Sequence, residues 1–253
     1  MDLNKNRATK AANLLIEARK TGPIDKLPDD CRPTNMQEVY NIHEEVSAIL
    51  GPICGWKVGA SSLTAEPICA PLLTGTILNS PVKLDRRNFN MLGIESEIAF
   101  KFASDLPPKS EPYTENAVFS AIETAFAAIE ICETRYKDSN VVDTMSNLAD
   151  NISNGVLILG PPWSKWHNLQ IDKQSVELVI DGEIVVSHFG GNKAVDIFRL
   201  IIWLANHLSN RGIGIARGQV ITTGSWSGMI PPGSAGKVIT HFSDIGQVEV
   251  NFS

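Results

Sequence analysis

Cysteine is scarce in this chain. The four copies, Cys31, Cys54, Cys69 and Cys132, form no CxxC pair and show no finger spacing, and four are too few for a disulfide framework in 253 residues. A reducing, cytoplasmic setting is therefore expected. Runs of Lys or Arg are missing as well: 28 Asp and Glu outnumber 22 Lys and Arg, for a net charge of −6. Nucleic acid and anionic membrane surfaces both require a basic footprint, so neither is expected as a partner. No apolar stretch approaches the roughly 18 residues of a membrane span, and the polar start Met1-Asp2-Leu3-Asn4-Lys5 has no export pattern. Internal repeats, low-complexity tracts and interdomain linkers are also lacking. What is present is 43% hydrophobic and 20% charged, enough to bury a sizeable core. An anionic small molecule stays open as a substrate wherever a metal or a lysine supplies local positive charge.

The stretch Leu92-Gly93-Ile94-Glu95-Ser96-Glu97-Ile98-Ala99-Phe100 is the most informative. Ile94, Ile98 and Phe100 recur at period two, as in a strand with one buried face, which puts Glu95 and Glu97 together on the other face. Carboxylates two apart on a strand lie roughly 6.6 Å apart along it and raise each other's pKa unless a positive charge sits between them. A solvated strand face gives the same pattern in isolation. Farther on, Ala117 to about Ala127 reads as a helix through Phe119, Ile122 and Phe126, and Ala128-Ile129-Glu130-Ile131-Cys132-Glu133-Thr134 then reverts to period two with Glu130 on the non-apolar side. Neighbouring strands that bring Glu95, Glu97 and Glu130 together would build a three-carboxylate cation site. Hard oxygen ligands without a His or Cys pair favour Mg²⁺ or Mn²⁺ over zinc, with positions left open for a chelating substrate.

The remaining segments frame that strand pair. Residues 5 to about 20 read as an amphipathic helix stopped at Gly22, and Thr34-Asn35-Met36-Gln37 has the form of a capping box ahead of a stripe Val39, Ile42, Val46, Ile49 ended by Gly51-Pro52. Ile53-Cys54-Gly55-Trp56-Lys57-Val58-Gly59-Ala60 reads as a strand with Lys57 on the face of Gly55 and Gly59, open to approach. A solvated edge lysine fits this segment equally well; desolvated beside a cation, its pKa would fall and it could carry a proton near neutrality. Pro67, Pro71 and Gly75 predict a long loop before a short strand at Thr76-Ile77-Leu78. Asp150 to Gly155 is a polar turn before the strand Val156–Leu159, and Val176 to Phe189 is a hairpin about Asp181-Gly182. Ala194 to about Leu208 is the most apolar helix, Gln219 to Ser225 a strand running into a small-residue turn, and the chain ends in a hairpin. The fold class is α+β: a helical segment over 1–52 followed by a catalytic mixed-β unit over 53–253.

Taken in order, Gly55-Trp56-Lys57-Val58-Gly59, Gly93-Ile94-Glu95-Ser96-Glu97, Ala128-Ile129-Glu130, Asp150-Asn151-Ile152-Ser153-Asn154-Gly155 and Thr223-Gly224-Ser225 resemble the successive signatures of the hydratase/decarboxylase branch of the fumarylacetoacetate hydrolase superfamily. The resemblance covers nearly the whole chain. It implies a mixed β-sandwich-like roll, a metal-dependent lyase in aromatic-compound catabolism, a 2-oxo acid or dienol substrate and a homo-oligomer. It further implies Mg²⁺ or Mn²⁺ held by Glu95, Glu97 and Glu130, a catalytic Lys57, and substrate contacts from Asn151, Ser153 and Ser225. Hydration of a 2-hydroxy-2,4-dienoate such as 2-hydroxypenta-2,4-dienoate is expected ahead of decarboxylation of a 2-oxo-enedioate, acylpyruvate hydrolysis or mere binding. One departure stands out: where the hydratases carry an acidic residue that helps proton transfer, this chain reads Pro71-Leu72-Leu73-Thr74-Gly75. His43-Glu44 could imitate the water-activating pair of the superfamily's hydrolases, but a helix position beside apolar neighbours reads as a packed or surface histidine.

Overall fold

The structure, a computed structural model, describes residues 3–253; Met1 and Asp2, the first residues of the expected helical segment, lie outside the described residues. Helix α1 (Leu3–Thr21) ends at Gly22, whose φ of 106° suits glycine and whose N–H bonds to the Ala18 carbonyl at 3.2 Å. Helix α2 (Met36–Leu50) is capped one residue later than the Thr34–Gln37 box predicts. Asn35 Oδ1 accepts from the Glu38 N–H at 3.0 Å, and the Glu38 carboxylate accepts from the Thr34 N–H at 2.7 Å. A charged acceptor at a helix N-terminus wins over the neutral Gln37 amide because the free N–H groups there carry partial positive charge. Val39, Ile42 and Val46 are buried against Ala11, Ala12 and Leu15 of α1, whereas Ile49, expected on the same stripe, lies in the last turn and is 52% exposed.

The strands and remaining helices follow in the order β1 (Ile53–Gly59), β2 (Ile68–Leu73), β3 (Ile77–Asn79), β4 (Val82–Leu84), β5 (Gly93–Phe102), α3 (Glu115–Ser120), β6 (Ile122–Cys132), α4 (Thr144–Ala149) and β7 (Asn154–Leu159). Then come β8 (Ser175–Ile180), β9 (Glu183–Phe189), α5 (Ile197–Asn210), β10 (Val220–Ser225), β11 (Lys237–Phe242) and β12 (Gly246–Phe252). Two segments differ from the sequence reading. Strand β2 occupies the expected loop: it is an edge strand paired only with β1, with Pro71 opposite Trp56, and an edge is where a residue without an N–H is tolerated. Residues 122–127, expected in a helix, belong to β6, where Thr124, Ala125 and Phe126 pair with Lys101, Phe100 and Ala99 of the ten-residue β5. Cross-strand pairing overrides local helical spacing there. The β8–β9 hairpin turns at Asp181 and Gly182, with φ of 47° and 90°, as a two-residue hairpin requires.

Seven strands form one sheet in the order β2-β1-β10-β5-β6-β7-β3, and five form a second, β4-β12-β11-β8-β9. The larger sheet is rolled up. Strands β2 and β7 stand five positions apart, about 24 Å in a flat sheet, yet the Asn151 side chain in the turn before β7 donates to the Pro71 carbonyl of β2 at 2.8 Å. The close approach of β1 to β10 depends on Gly55, where a Cβ would lie 2.1 Å from the Val220 carbonyl oxygen.

Register fixes what each face carries. The convex face presents Ile94, Ile98, Phe100 and Ile129 to Val238, Val248 and Val250 of the second sheet and to Leu200 and Leu204 of α5. Each such side chain contributes about 1.5–3 kcal/mol on burial. On the concave face, Lys57 pairs with Thr222, Thr222 with Ala99, and Glu95 with Glu130. One end of that hollow is closed by Leu72, Ala99, Phe126, Ala128, Leu159 and Val220. The other end carries Glu95, Glu97, Glu130 and Lys57. Among the described residues no helix is long and apolar enough to cross a membrane.

Candidate active site

Strand pairing puts Glu95 directly opposite Glu130, and Glu97 opposite Ala128 and, on its other side, Ser225. Like charges facing each other across a ladder repel. Part of the repulsion is relieved by Lys57, whose Nζ donates to Glu130 Oε1 at 2.6 Å and to the Ile152 carbonyl at 2.9 Å. The Asn154 amide donates to the same Glu130 oxygen at 2.9 Å. Glu97 Oε2 accepts from the Thr222 hydroxyl and from the Gly224 N–H, and the Cys132 thiol donates to Glu95 Oε2 at 3.4 Å.

Burial, reinforced by the Glu130 and Glu95 charges, pushes the Glu97 carboxyl well above its ordinary range, and burial with the Glu130 charge raises Glu95 in the same direction. For Lys57, burial acts downward, but Glu130, Glu97 and Glu95 outweigh it and the amine is held above its usual value. The sequence reading lowers this pKa for an amine beside a cation; here the neighbour in direct contact is the Glu130 carboxylate, which acts the other way. Burial also raises the Cys132 thiol well above normal.

This chemistry fits a divalent cation. Glu130 is fully buried, yet its Oε2 has no hydrogen-bond partner among the described residues, an arrangement that costs free energy unless something positive completes it. Donor atoms of Glu95, Glu130 and Cys132 lie within 4.8 Å of one another, so the tightest trio has Cys132 where the sequence reading has Glu97. A thiol that keeps its proton is a poor ligand for a hard cation; Glu97 lies on the same face of β5 as Glu95, outside that trio.

A cavity of ≈ 590 Å³ opens over the carboxylates, lined by Lys57, Glu95, Glu97, Ser153 and Ser225 among others. That is ample for a small organic acid. The Ser225 hydroxyl is buried and without a partner. Asn151 does not line the cavity: its amide nitrogen donates to the Pro71 carbonyl, which ties the turn to β2, and its buried Oδ1 has no partner among the described residues. The turn itself is strained, with Asn151, Ile152 and Ser153 at φ of 56°, 48° and 56°. Left-handed backbone at a β-branched residue persists only where the surroundings enforce it, and here it aims the Ile152 carbonyl at Lys57.

His43 lies outside the site: buried in α2, it donates to the Leu148 carbonyl at 2.9 Å through Nε2. A water-activating His43–Glu44 pair is therefore not part of this cavity. Leu72, where an acid was missing, is buried in the apolar end of the hollow. Sequence reading overlooked Asn154, Thr222, Glu66 and Lys193. Asn154 stood inside a motif already singled out, and Gly190-Gly191 ahead of Asn192-Lys193 signalled a shaped loop.

No family model matches the chain. It is 27% identical over 160 residues to a 2-keto-4-pentenoate hydratase of Burkholderia vietnamiensis, covering 63% of this chain and 60% of that protein. It is 26% identical over 254 residues to a 2-hydroxyhexa-2,4-dienoate hydratase of Comamonas testosteroni, covering 100% of this chain and 84% of that one. Among solved structures, 4-oxalocrotonate decarboxylase from Pseudomonas putida G7, complexed with magnesium and adipate, superposes with a TM-score of 0.84 at 22% identity over 98% of both chains. A fumarylacetoacetate hydrolase family protein from Yersinia pestis matches with a TM-score of 0.58 at 16% identity, over 80% of this chain and 93% of that one. The chain thus has the fumarylacetoacetate hydrolase fold, and its curated relatives are hydratases and decarboxylases, as the five motifs imply.

Proposed function

We propose that this chain, with its fumarylacetoacetate hydrolase fold and its hydratase and decarboxylase relatives, is a divalent-metal-dependent lyase that hydrates 2-hydroxy-2,4-dienoates. The observation that carries the reading is the unpartnered, buried Glu130 Oε2 beside Glu95 at the floor of a cavity that also holds a lysine. Glu95, Glu97 and Glu130 would hold Mg²⁺ or Mn²⁺, which when bound supplies Lewis-acid stabilisation of negative charge on the substrate's 2-oxygen. The decarboxylase with magnesium and adipate in its crystals supports magnesium as the first ion to try.

Lys57 does the proton work. Its amine is kept charged by Glu130 and fixed by the Ile152 carbonyl, so it can hand a proton to the dienol carbon chain and produce a conjugated 2-oxo acid to which water adds. The proton given up by the substrate's 2-hydroxyl balances the one delivered. Ser153 and Ser225 offer hydroxyls to the substrate from two sides of the cavity. Glu66 is the one carboxylate lining the cavity, among the described residues, that lies outside the acidic cluster of β5 and β6, and it stands in for the acid missing near Leu72 as a second proton carrier.

In this reading residues 53–253 form the catalytic unit and 1–52 the helical segment before it, whose described helices pack beside β2 and the Tyr136 region. A cytoplasmic homo-oligomer is supported by four free cysteines and by edge strand β9, which leaves Ile184 and Phe189 exposed. The test is ultraviolet absorbance of 2-hydroxypenta-2,4-dienoate and of longer dienoates: decay that requires Mg²⁺ and stops with a chelator is expected. Absence of decay across the series would overturn the hydratase reading, and CO₂ release from 2-oxohex-3-enedioate in its place would make the enzyme a decarboxylase.

A further inference from the structure

The tightest donor cluster among the described residues is a mixed one, two carboxylates from Glu95 and Glu130 and one sulfur from Cys132. Strand alternation brings the sulfur there. Cys132 follows Glu130 by two residues on β6 and shares its face, and the residue opposite Cys132 in register is Gly93, two before Glu95 on β5. A glycine at that position leaves the space beside the thiol open: a Cβ on Gly93 would stand 3.3 Å from Cys132 Cβ and 2.7 Å from Met229 Sδ. A second sulfur therefore packs over Gly93 near the thiol, and both Cys132 and Met229 line the cavity.

Cys132 is buried and forms no disulfide, and its hydrogen-bond partner is a carboxylate, Glu95 Oε2, at 3.4 Å. In a tetrahedral zinc site, with Zn–S of about 2.3 Å and Zn–O of about 2.1 Å, a sulfur and an oxygen ligand stand about 3.6 Å apart. The Cys132–Glu95 pair already has the spacing of one edge of such a site. Glu130 supplies the next corner, and its Oε2 is buried with no hydrogen-bond partner among the described residues. That orphan oxygen calls for a cation independently of the sulfur, and the cavity leaves a fourth position open to water.

We infer that Glu95, Glu130 and Cys132 form a coordination set for a zinc-class divalent cation, one with affinity for sulfur as well as oxygen. On binding, a metal–sulfur bond forms as the S–H bond breaks, and the proton leaves to the buffer; no electrons are transferred. Mg²⁺, a hard ion, gains too little from sulfur to drive that exchange, so the thiol discriminates between the two classes of ion. This goes beyond the hydratase reading. An ion held by the mixed set occupies two of the three carboxylates proposed for Mg²⁺, and the two ions exclude each other.

The experiment is a titration of the metal-free protein, without substrate, with Co²⁺, Zn²⁺ and Mg²⁺ in turn. A sulfur-to-cobalt charge-transfer band should grow to one equivalent of Co²⁺ in the unaltered protein and be missing in Cys132→Ser, which retains a hydroxyl to donate to Glu95 and keeps the other three free cysteines. In calorimetry that variant should lose at least about 10²-fold in Zn²⁺ affinity, more than the loss of an outer-shell partner costs, and less than about tenfold in Mg²⁺ affinity. X-ray absorption of the zinc-loaded unaltered protein, which needs no variant, should show a sulfur neighbour at about 2.3 Å. A cobalt band of equal strength in both proteins, an oxygen-only shell around zinc, or Mg²⁺ binding that persists beside one equivalent of bound Zn²⁺ would each overturn the inference. Parallel losses of Zn²⁺ and Mg²⁺ affinity in Cys132→Ser would overturn it too, leaving Cys132 as a residue that only positions Glu95. No Mg²⁺ binding at all, with the cobalt band present in the unaltered protein and absent from the variant, would sink the magnesium-dependent reading and uphold this one.

Discussion

Arg135 and Asp150 form an ion pair inside the molecule, with their side chains only 3% and 1% exposed. The guanidinium also donates to the Asn154 carbonyl at 2.8 Å, and the Asp150 carboxylate accepts from the Arg135 N–H at 2.8 Å and the Thr134 hydroxyl at 3.2 Å. These bonds straddle residues 151–153 and hold their left-handed backbone in place. The pair thus stands behind the carbonyl that fixes Lys57.

Asp150→Ala would leave the Arg135 charge buried and uncompensated, a change that costs about 3–5 kcal/mol. Urea unfolding should show the unfolding free energy lowered by that amount, with catalytic turnover falling further than the folded fraction because the Ile152 carbonyl is released. A variant within about 1 kcal/mol of the parent would show that the turn is held by something else.

Lys57→Met keeps the length and loses the charge. Removal of a general acid lowers the rate by about 10² to 10⁴, so turnover should drop into that range while circular dichroism stays near the parent's. Substantial turnover in this variant would transfer proton delivery to another group, with Glu66 the next to replace. Glu66→Gln, tested alongside, should lower turnover without altering Mg²⁺ affinity, since it lies outside the acidic cluster.

Much of this site was readable from alternation alone. Ile94, Ile98 and Phe100 on one side leave Glu95 and Glu97 no choice of face, and Ile129 with Ile131 does the same for Glu130. Lys57 was readable as a face but not as a contact. Its partner lies three strands away in a rolled sheet, and the curl comes from pairings between segments distant in sequence, such as β1 with β10. Helical spacing misread residues 122–127 because Ile122 and Phe126 fit both periods, and only β5 decides between them. Pro71 misread β2 because whether a strand is an edge is a property of the sheet. Lys193 needed the fold outright, since neither the cavity it lines nor the bonds from the Asn192 amide to the Thr223 and Gly224 carbonyls exist until β10 is in place.

Glu95→Gln tests the cation site without turnover. Glu95 opposes Glu130 in register and is raised by burial and by that charge, so an uncharged isostere removes a repulsion. Without divalent ions the variant should melt above the parent, at about 2–4 °C for each kcal/mol relieved. Millimolar Mg²⁺ should raise the parent's melting temperature and leave the variant's nearly unchanged. Equal Mg²⁺ responses in both proteins would remove Glu95 from the ligand set.

His43 governs part of the acid sensitivity through a different physical route. Burial pushes its imidazole down to about 4, with the Arg211 and Arg135 charges acting in the same direction and the Leu148 carbonyl against it. Its Nδ1 is buried without a partner among the described residues, so a second proton would have nowhere to donate. The unfolded chain takes up that proton near pH 6.5 and the folded chain only near pH 4. Protons therefore favour the unfolded state across that window: the stabilisation from neutral His43 is complete above about pH 6.5 and is lost as the pH falls toward 4. Near pH 4.5 the loss should reach about 2–3 kcal/mol relative to neutrality. His43→Gln, which keeps a donor for Leu148 but does not titrate, should lose that much less on going from pH 7 to pH 4.5 in paired urea titrations. Parallel losses in the two proteins would mean that acid unfolding is driven by the carboxylates and that the buried imidazole contributes nothing to it.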